Sequence, residues 1–333
     1  MNENRIKAVC LLSGGLDSSL AMKLVKEQGI EVIAVNFTGP FIPGREEPSE
    51  SAASRVADSM GIDLRIIELG EEYLDVLKSP KYGYGSNMNP CIDCRIYMLK
   101  KAKETMLAEG ASFVVTGEVI GQRPMTQRKE VMKRTERESG LEGLILRPLS
   151  AQGLDPTIPE IRGWIRREHL LGITGRSRKQ QMKIAEQTRL VGYSCPGGGC
   201  LLTDPAYAER VRDLIRHDML TLHDVDLLSI GRHFRLPGGS KLIVGRNERE
   251  NQLLESKAVE RDMLLVTESC PGPSAILRGP RHSEEAGLGA RIVARYSDAM
   301  SGIAVSVRIE SATGTGTELA TSLPPENVRE LMI

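Results

Sequence analysis

The sequence predicts an α/β protein: an open parallel sheet with helices on both faces, followed by a small C-terminal α+β domain. Three observations carry that expectation. Apolar runs of strand length alternate with amphipathic helical stretches through the first third of the chain. A glycine turn, Ser13-Gly-Gly-Leu-Asp-Ser18, joins the first apolar run directly to a helical pattern. Beyond about residue 226 the runs become short and β-rich, parted by Gly and Pro.

The first strand is expected over Ala8 to Leu12, and Leu20, Ala21, Leu24 and Val25 recur behind it at helical spacing. Glu31 to Phe37 reads as a second buried strand, Ser51 to Met60 as a helix and Leu64 to Leu69 as a third strand. Met98 to Ala108 reads as a helix, and Ser112 to Thr116 as a fourth strand closed by Gly117 and Glu118. Ligands of such sheets bind beyond the carboxyl ends of the strands. Those ends carry Ser13, Asn36, Glu68 and Gly117.

Residues 121 to 220 read as mostly helical, with helices over Ile161 to Leu170, around Trp164, and over Lys179 to Thr188. Five β-type runs follow: His233 to Pro237, Lys241 to Gly245, Met263 to Thr267, Arg291 to Tyr296 and Ile303 to Arg308. The expected division is 1–155 for a nucleotide-binding domain, 156–225 for a helical, cysteine-containing extension and 226–333 for a separate domain.

The 333 residues carry 44 Lys plus Arg against 44 Asp plus Glu, so whole-chain charge names no partner. Between Arg123 and Lys183, however, 14 Lys/Arg face 7 Asp/Glu. Such a stretch suits either a nucleic-acid backbone or a solvated helix surface. No apolar run approaches the roughly 18 residues of a membrane span, and Met1 to Arg5 lead straight into the first strand without a signal peptide. Six cysteines without a secretory signal are expected to be reduced thiols, in a cytoplasmic protein that meets no membrane.

The glycine turn places unpaired amides at a helix N-terminus, where the dipole favours an anion. Ser13, Ser18 and Ser19 add hydroxyls, and no Gly-Lys-Ser/Thr ending follows. Cys91 and Cys94 form a Cys-x-x-Cys pair behind Asn89-Pro90, at a helix start that should make the thiols more acidic. Cys195-Pro-Gly-Gly-Gly-Cys200 sets two more cysteines around a flexible backbone. These four suit reactive thiols, a cluster or a Cys₄ zinc site; packed thiols and a plain glycine turn are the blander alternatives. Cys10 and Cys270 read as packing residues. Arg147, Gln122 and Arg123 follow strand ends, where each suits either a ligand contact or an ordinary structural role. Arg232 to Arg235 and Lys241 to Arg246 suit RNA phosphates or a basic edge strand.

The Ser-Gly-Gly-x-Asp-Ser string between strand and helix resembles the pyrophosphatase loop of the PP-loop superfamily, whose members split ATP between its α- and β-phosphates and leave AMP on a substrate oxygen. Residues 8 to about 205 resemble the tRNA thiolation branch, the 2-thiouridylases and 4-thiouridine synthases, through that loop, Asn89-Pro-x-x-x-Cys94, Thr116-Gly117 and the 195–200 cysteines. The last hundred residues more distantly resemble the small RNA-binding domain of the NFACT ribosome-associated proteins.

The resemblance implies ATP held by Ser13, Gly14, Gly15, Leu16, Asp17, Ser18, Ser19 and Gly117, with Asp17 catalytic through Mg²⁺ and Asn36 and Phe37 flanking the adenine. It implies catalysis by Cys94 with Cys195 or Cys200, through a persulfide, or a [4Fe–4S] cluster held by Cys91, Cys94 and one of Cys195 and Cys200. The partners it implies are tRNA and a sulfur donor, as a persulfide or sulfide source. The N-terminal RNA-binding domain of the synthases and the C-terminal barrel of the thiouridylases are not evident. Two other readings share the loop: a ligase that transfers nitrogen, and a non-catalytic RNA-binding adaptor.

Overall fold

A computed structural model describes residues 5–42, 50–194, 199–279 and 283–333. The chain divides into two compact units, Met1–Thr203 and Asp204–Ile333. Residues 204–225 therefore lie with the second unit.

The first unit runs β1 (Lys7–Leu11), α1 (Leu16–Lys26), β2 (Glu31–Thr38), α2 (Ala52–Met60), β3 (Leu64–Glu68), α3 (Glu71–Lys78), α4 (Cys91–Ala108), β4 (Phe113–Thr116), α5 (Lys129–Ser139), β5 (Ile145–Leu146), α6 (Ile158–Ile161) and α7 (Lys179–Gln187). Its five strands are all parallel, in the order β3-β2-β1-β4-β5. Strand alternation sends Ala8, Cys10 and Leu12 to one face, where α1, α2 and α7 cover them, and Val9 and Leu11 to the other, against Leu99, Ala102 and Met106 of α4. β1 is central, and the chain crosses to opposite sides of it for β2 and β4. The gap beyond the ends of β1 and β4 is thus the topological switch point, where such sheets bind ligands.

The second unit runs α8 (Pro205–Arg216), α9 (Leu222–Leu227), β6 (Arg232–Arg235), β7 (Lys241–Val244), α10 (Glu248–Lys257), β8 (Asp262–Thr267), β9 (Ser274–Arg278), α11 (Ser283–Arg295), β10 (Ala304–Ser311), β11 (Gly314–Thr321) and α12 (Pro325–Leu331). Six antiparallel strands form one sheet, ordered β11-β10-β8-β9-β7-β6. Ala290 and Val293 of α11 pack on one face with Phe234, Leu242 and Leu277; Leu254 of α10 packs on the other with Ile243 and Ile276. Among the described residues no helix is long and apolar enough to cross a membrane.

Two expected elements differ. Arg291 to Tyr296 belongs to α11 and not to a strand; its β-branched pair Ile292-Val293 mimics strand composition, while the apolar phase Ala286, Ala290, Val293 is helical. Ile161 to Leu170 is not one helix: α6 stops at Ile161, Gly163 turns at φ +70°, and Trp164 stacks on Phe113.

The basic runs of the second unit are also resolved. Lys241, only 2% exposed, donates to Asp213 at 2.6 Å, and Arg235 pairs with the same carboxylate. His233 is buried and bonds the Ile230 carbonyl. Arg246 is closed by Glu250, four residues on. β6 is an edge strand, as the blander alternative held, and Arg235 and Lys241 are internal ion pairs instead of phosphate contacts.

Candidate active site

β1 ends at Leu11, and the turn after Leu12 is set by Gly14 at φ +74°, where a Cβ would lie 2.6 Å from the Ala53 amide nitrogen. Only glycine combines that backbone with that approach. Gly15 caps α1, and the first helical bond runs from the Ser19 amide to the Gly15 carbonyl. The amides of Leu16, Asp17 and Ser18 therefore find no acceptor among the described residues, which is the arrangement that holds a phosphate.

The Ser18 and Ser19 hydroxyls both donate to the Gly15 carbonyl, at 3.0 and 2.9 Å, and the Ser13 amide donates to Ser18 Oγ. These serines brace the loop. The Leu16 side chain lies in the core. Gly117, at the end of β4, touches the same turn: a Cβ there would meet the Ser18 amide nitrogen at 2.5 Å. Asn36 donates to the Leu12 carbonyl at 2.7 Å, and Phe37 packs against the core on the α4 side.

Asp17 projects from the first turn of α1. Its Oδ2 accepts from Gln122 Nε2 at 2.6 Å and lies 3.5 Å from Arg178 Nε. Its Oδ1 is buried and has no hydrogen-bond partner. An unpaired carboxylate oxygen beside a phosphate-type loop suits Mg²⁺, which takes one or two carboxylates and completes its shell with phosphate and water.

The cysteines are tied to this loop by one short segment. The Ser194 amide donates to the Gly14 carbonyl at 2.8 Å, so the residue before Cys195 is strapped to the turn. Cys195 itself lies outside the described residues. After the gap, the Leu201 amide donates to the Phe41 carbonyl and the Met88 amide to the Leu202 carbonyl. Asn87 adds a bond to the Thr203 carbonyl at 2.7 Å.

Cys200 is thereby brought within electrostatic reach of Cys91 and Cys94 in the first turn of α4, and Tyr73 of α3 hydrogen-bonds Cys94. Cys91 Sγ donates to Asn89 Oδ1 at 2.9 Å. Burial, reinforced by the neighbouring thiols, pushes the Cys94 thiol up to about 12 and Cys200 up to about 11, and burial raises Cys91 as well. The acidification expected of a helix start is therefore overridden: burial outweighs the helix terminus and the bond from Tyr73. Among the described residues no three His, Cys, Asp or Glu side chains are placed to hold a metal ion.

Cys10 is fully buried beneath β1, and Cys270 packs against the second unit's core, as their positions in the sequence imply.

Residues 6–158 match the family model described as the tRNA methyl transferase HUP domain, and residues 231–332 match the NFACT protein RNA binding domain. The chain joins a PP-loop HUP domain to an NFACT-type domain.

Among curated proteins it is 25% identical over 305 residues to the tRNA-specific 2-thiouridylase MnmA of Pseudoalteromonas translucida, covering 84% of this chain and 78% of that one. It is 33% identical to the MnmA of Sulfurimonas denitrificans, over 34% of this chain and 35% of the relative. Against that and other relatives of this kind, the chain spans between 32% and 39% of their length. A solved 4-thiouridine synthetase in complex with RNA and ATP is 23% identical, covering 67% of this chain and 52% of that chain, with a TM-score of 0.35, too loose a superposition to carry a functional statement.

Behind the loop of the HUP domain lies an ion system that the sequence did not reveal. Glu118 is buried, takes Arg147 on one oxygen and Arg95 on the other, each at 2.9 Å, and accepts from Thr116 Oγ1. Arg147 also pairs with Glu136. Burial works to raise the Glu118 carboxyl, but Arg95 and Arg147 together hold it at about 2. Arg147 is thus the structural ion-pair arginine and not a ligand contact. Glu118 fixes Arg95, next to Cys94, and the strand that ends at Gly117.

Tyr73, Arg178, Gln181 and Ser194 escape sequence reasoning. Gln181 left one signal: it holds an apolar phase of α7 together with Ile184 and Ala185, and it is fully buried.

Proposed function

We propose that this protein is an ATP-dependent tRNA thiolase, which adenylates a uridine carbonyl oxygen and replaces it with sulfur. The observation that carries the proposal is the segment from Ser194 to Thr203, bonded at one end to Gly14 of the phosphate-type loop and at the other to Met88 and Asn87 beside Cys91. Anchors fewer than ten positions apart in the chain thus bond the phosphate-type loop on one side and the neighbourhood of Cys91 on the other. The similarity to the 2-thiouridylases supports the same reading.

The chemistry follows from the leaving group. A uracil carbonyl oxygen departs poorly. Its attack on the ATP α-phosphorus expels pyrophosphate, and the resulting adenylate lets the oxygen leave as AMP. The free amides of Leu16, Asp17 and Ser18 hold phosphate, Asp17 Oδ1 supplies a ligand to Mg²⁺, and Asn36 and Phe37 flank the adenine at the end of β2.

In the persulfide route the outer sulfur on Cys94 attacks the activated carbon. Cys195 or Cys200 then attacks the Cys94 sulfur and breaks its bond to the transferred sulfur, which stays on the uridine as the thiocarbonyl, and the resulting disulfide is reduced by an external dithiol. The sulfur donor is an external persulfide or sulfide source. Soft thiolates also suit a [4Fe–4S] cluster on Cys91, Cys94 and one of Cys195 and Cys200. Such a cluster would present an open iron for sulfide, and it gives Cys91 a role that the persulfide route does not. The thiols of the described residues are not spaced for metal as they stand, so every step here rests on the side chains themselves. The NFACT-type domain and the basic 123–183 stretch contribute RNA affinity, and a cytoplasmic location follows from a tRNA substrate.

Mass spectrometry of tRNA nucleosides from cells lacking this protein tests the reading. A missing thionucleoside, restored by the wild type and not by Cys94→Ser, is expected. A full complement of thionucleosides would overturn it, and full activity of Cys94→Ser would favour nitrogen transfer. Protein made without oxygen separates the two routes: brown protein whose colour is lost in Cys91→Ala identifies the cluster, and colourless protein whose Cys91→Ala variant still thiolates leaves the persulfide route.

A further inference from the structure

Gln181 is 0% exposed on the inward face of α7, at a helical phase otherwise held by Ile184 and Ala185. A buried amide is costly there unless it is bonded, and a leucine would satisfy the packing. Its Nε2 donates to Gln122 Oε1 at 3.1 Å, and its own Oε1 has no partner. Gln122 Nε2 in turn donates to Asp17 Oδ2 at 2.6 Å.

The direction of this chain is fixed by chemistry. An ionised carboxylate only accepts, so Gln122 must present its NH₂ to Asp17 and its carbonyl to Gln181, which must then present its own NH₂. Both amide orientations are thereby determined from one end. The backbone holds the same registry: the Gly175 amide donates to the Ile120 carbonyl at 2.7 Å, which locks the approach to α7 onto the segment that carries Gln122. Arg178, the residue capping α7, brings its guanidinium within 3.5 Å of the same Asp17 oxygen.

We infer that Gln181 and Gln122 are positioning residues for Asp17, a two-amide relay that occupies Oδ2 and so aims the free Oδ1 at the Mg²⁺ of Mg·ATP. The relay rests on the reading of the Ser13–Ser19 turn as an ATP site, and it adds that α7 sets the metal-binding geometry of that turn. Removing either amide frees the carboxylate to rotate, and Arg178 then competes with Mg²⁺ for both oxygens.

The test measures calorimetric binding of α,β-methylene ATP to the full chain as Mg²⁺ is titrated, with binding in EDTA as reference. The variants are Gln122→Met and Gln181→Met, which keep volume and remove the amide. The Mg²⁺ concentration for half-maximal nucleotide binding is expected to rise about tenfold in each, the usual scale for losing the partner that orients a metal ligand. Binding in EDTA and the melting temperature should stay near wild type, a split that a merely structural role for the amides would not produce. Because the amides act in series, the double variant should be no worse than Gln122→Met alone. An unchanged Mg²⁺ midpoint in Gln122→Met, which is half-buried and folds without Gln181's packing constraint, overturns the relay even if Gln181→Met fails to fold. Wild type that fails to bind the nucleotide at any Mg²⁺ concentration overturns the ATP-site reading itself, a result distinct from a wild-type midpoint that the variants leave unmoved.

Discussion

At the end of β1, in the first unit, three helical amides and one oxygen of Asp17 find no partner among the described residues. In the second unit the buried carboxylates Asp213, Asp224 and Asp262 are closed. Arg278 lies between Asp224 and Asp262, and Asp213 is shared by Lys241 and Arg235. Both units bury charge, but among the described residues only the first leaves a buried carboxylate oxygen without a hydrogen-bond partner, and it does so where strands of a parallel sheet diverge. An antiparallel sheet whose strands are joined at both ends has no such gap, so its buried charges can meet only one another. Open valence marks ligand chemistry, and closed ion pairs mark architecture.

The largest expected effect tests the closed side. Asp213→Asn leaves Lys241 and Arg235 buried without an anion, and the loss of stability is expected to be about 3–5 kcal/mol. Denaturant titration of the full chain measures it. The double variant Asp213→Asn, Lys241→Met should recover part of the loss, since one of the two stranded cations is gone. A loss below about 1 kcal/mol, the range of a surface pair, would show that water reaches this cluster.

The open side should respond in the opposite way. Asp17→Ala removes a group with little structural work, so the melting temperature should hardly move. Pyrophosphate release from ATP in the presence of tRNA should fall by about 10²–10³, the scale of losing one electrostatic contributor to a transition state. Unchanged release would remove the assignment of the loop, and collapse of the fold would mean that Asp17 belongs with the closed charges.

The same contrast explains what was legible in the sequence. The Ser13–Ser18 turn and Cys91–Cys94 could be read because their chemistry is local: the loop and the helix start are contiguous in the chain. Gly117 was legible because it ends an apolar run. Gln181 and Tyr73 were not, since tertiary packing alone brings Gln181 to Gln122, and through it to Asp17, and Tyr73 to Cys94. Arg235 and Lys241 were ambiguous for the same reason: their partner, Asp213, lies in a helix that the sequence placed in another domain. The acidity of the cysteine thiols was misjudged because helix position is written in the sequence and burial is not.

Glu118 tests whether the first unit's ion system belongs to the closed class although it adjoins the open site. Its carboxyl is held at about 2, against an ordinary value of 4.5. A depressed carboxylate contributes stability that is present above its unfolded value and is lost as pH falls through the folded value. Acid unfolding of the full chain should therefore show a loss of about 3 kcal/mol between pH 4.5 and 2 that is assignable to this residue. In Glu118→Gln that part of the slope should vanish, from a lower starting stability. An undiminished slope would mean that other carboxylates carry the acid transition.

The smallest effect separates closed from open cations on the second unit. Arg246 is held by Glu250, whereas Arg291 and Arg295, on α11, have no ion-pair partner among the described residues. A paired arginine exchanges one anion for another when RNA binds, while a free one releases counterions. Each free arginine that meets a phosphate should contribute about 0.7 to the slope of log affinity against log salt for single-stranded RNA. Arg291→Ala and Arg295→Ala should each flatten that slope by about this amount, and Arg246→Ala should leave it nearly unchanged, as read by filter binding of tRNA between low and physiological salt. Equal flattening in all three would mean that RNA opens the Arg246–Glu250 pair, and that a closed ion pair on this unit's surface can still be a contact held in reserve.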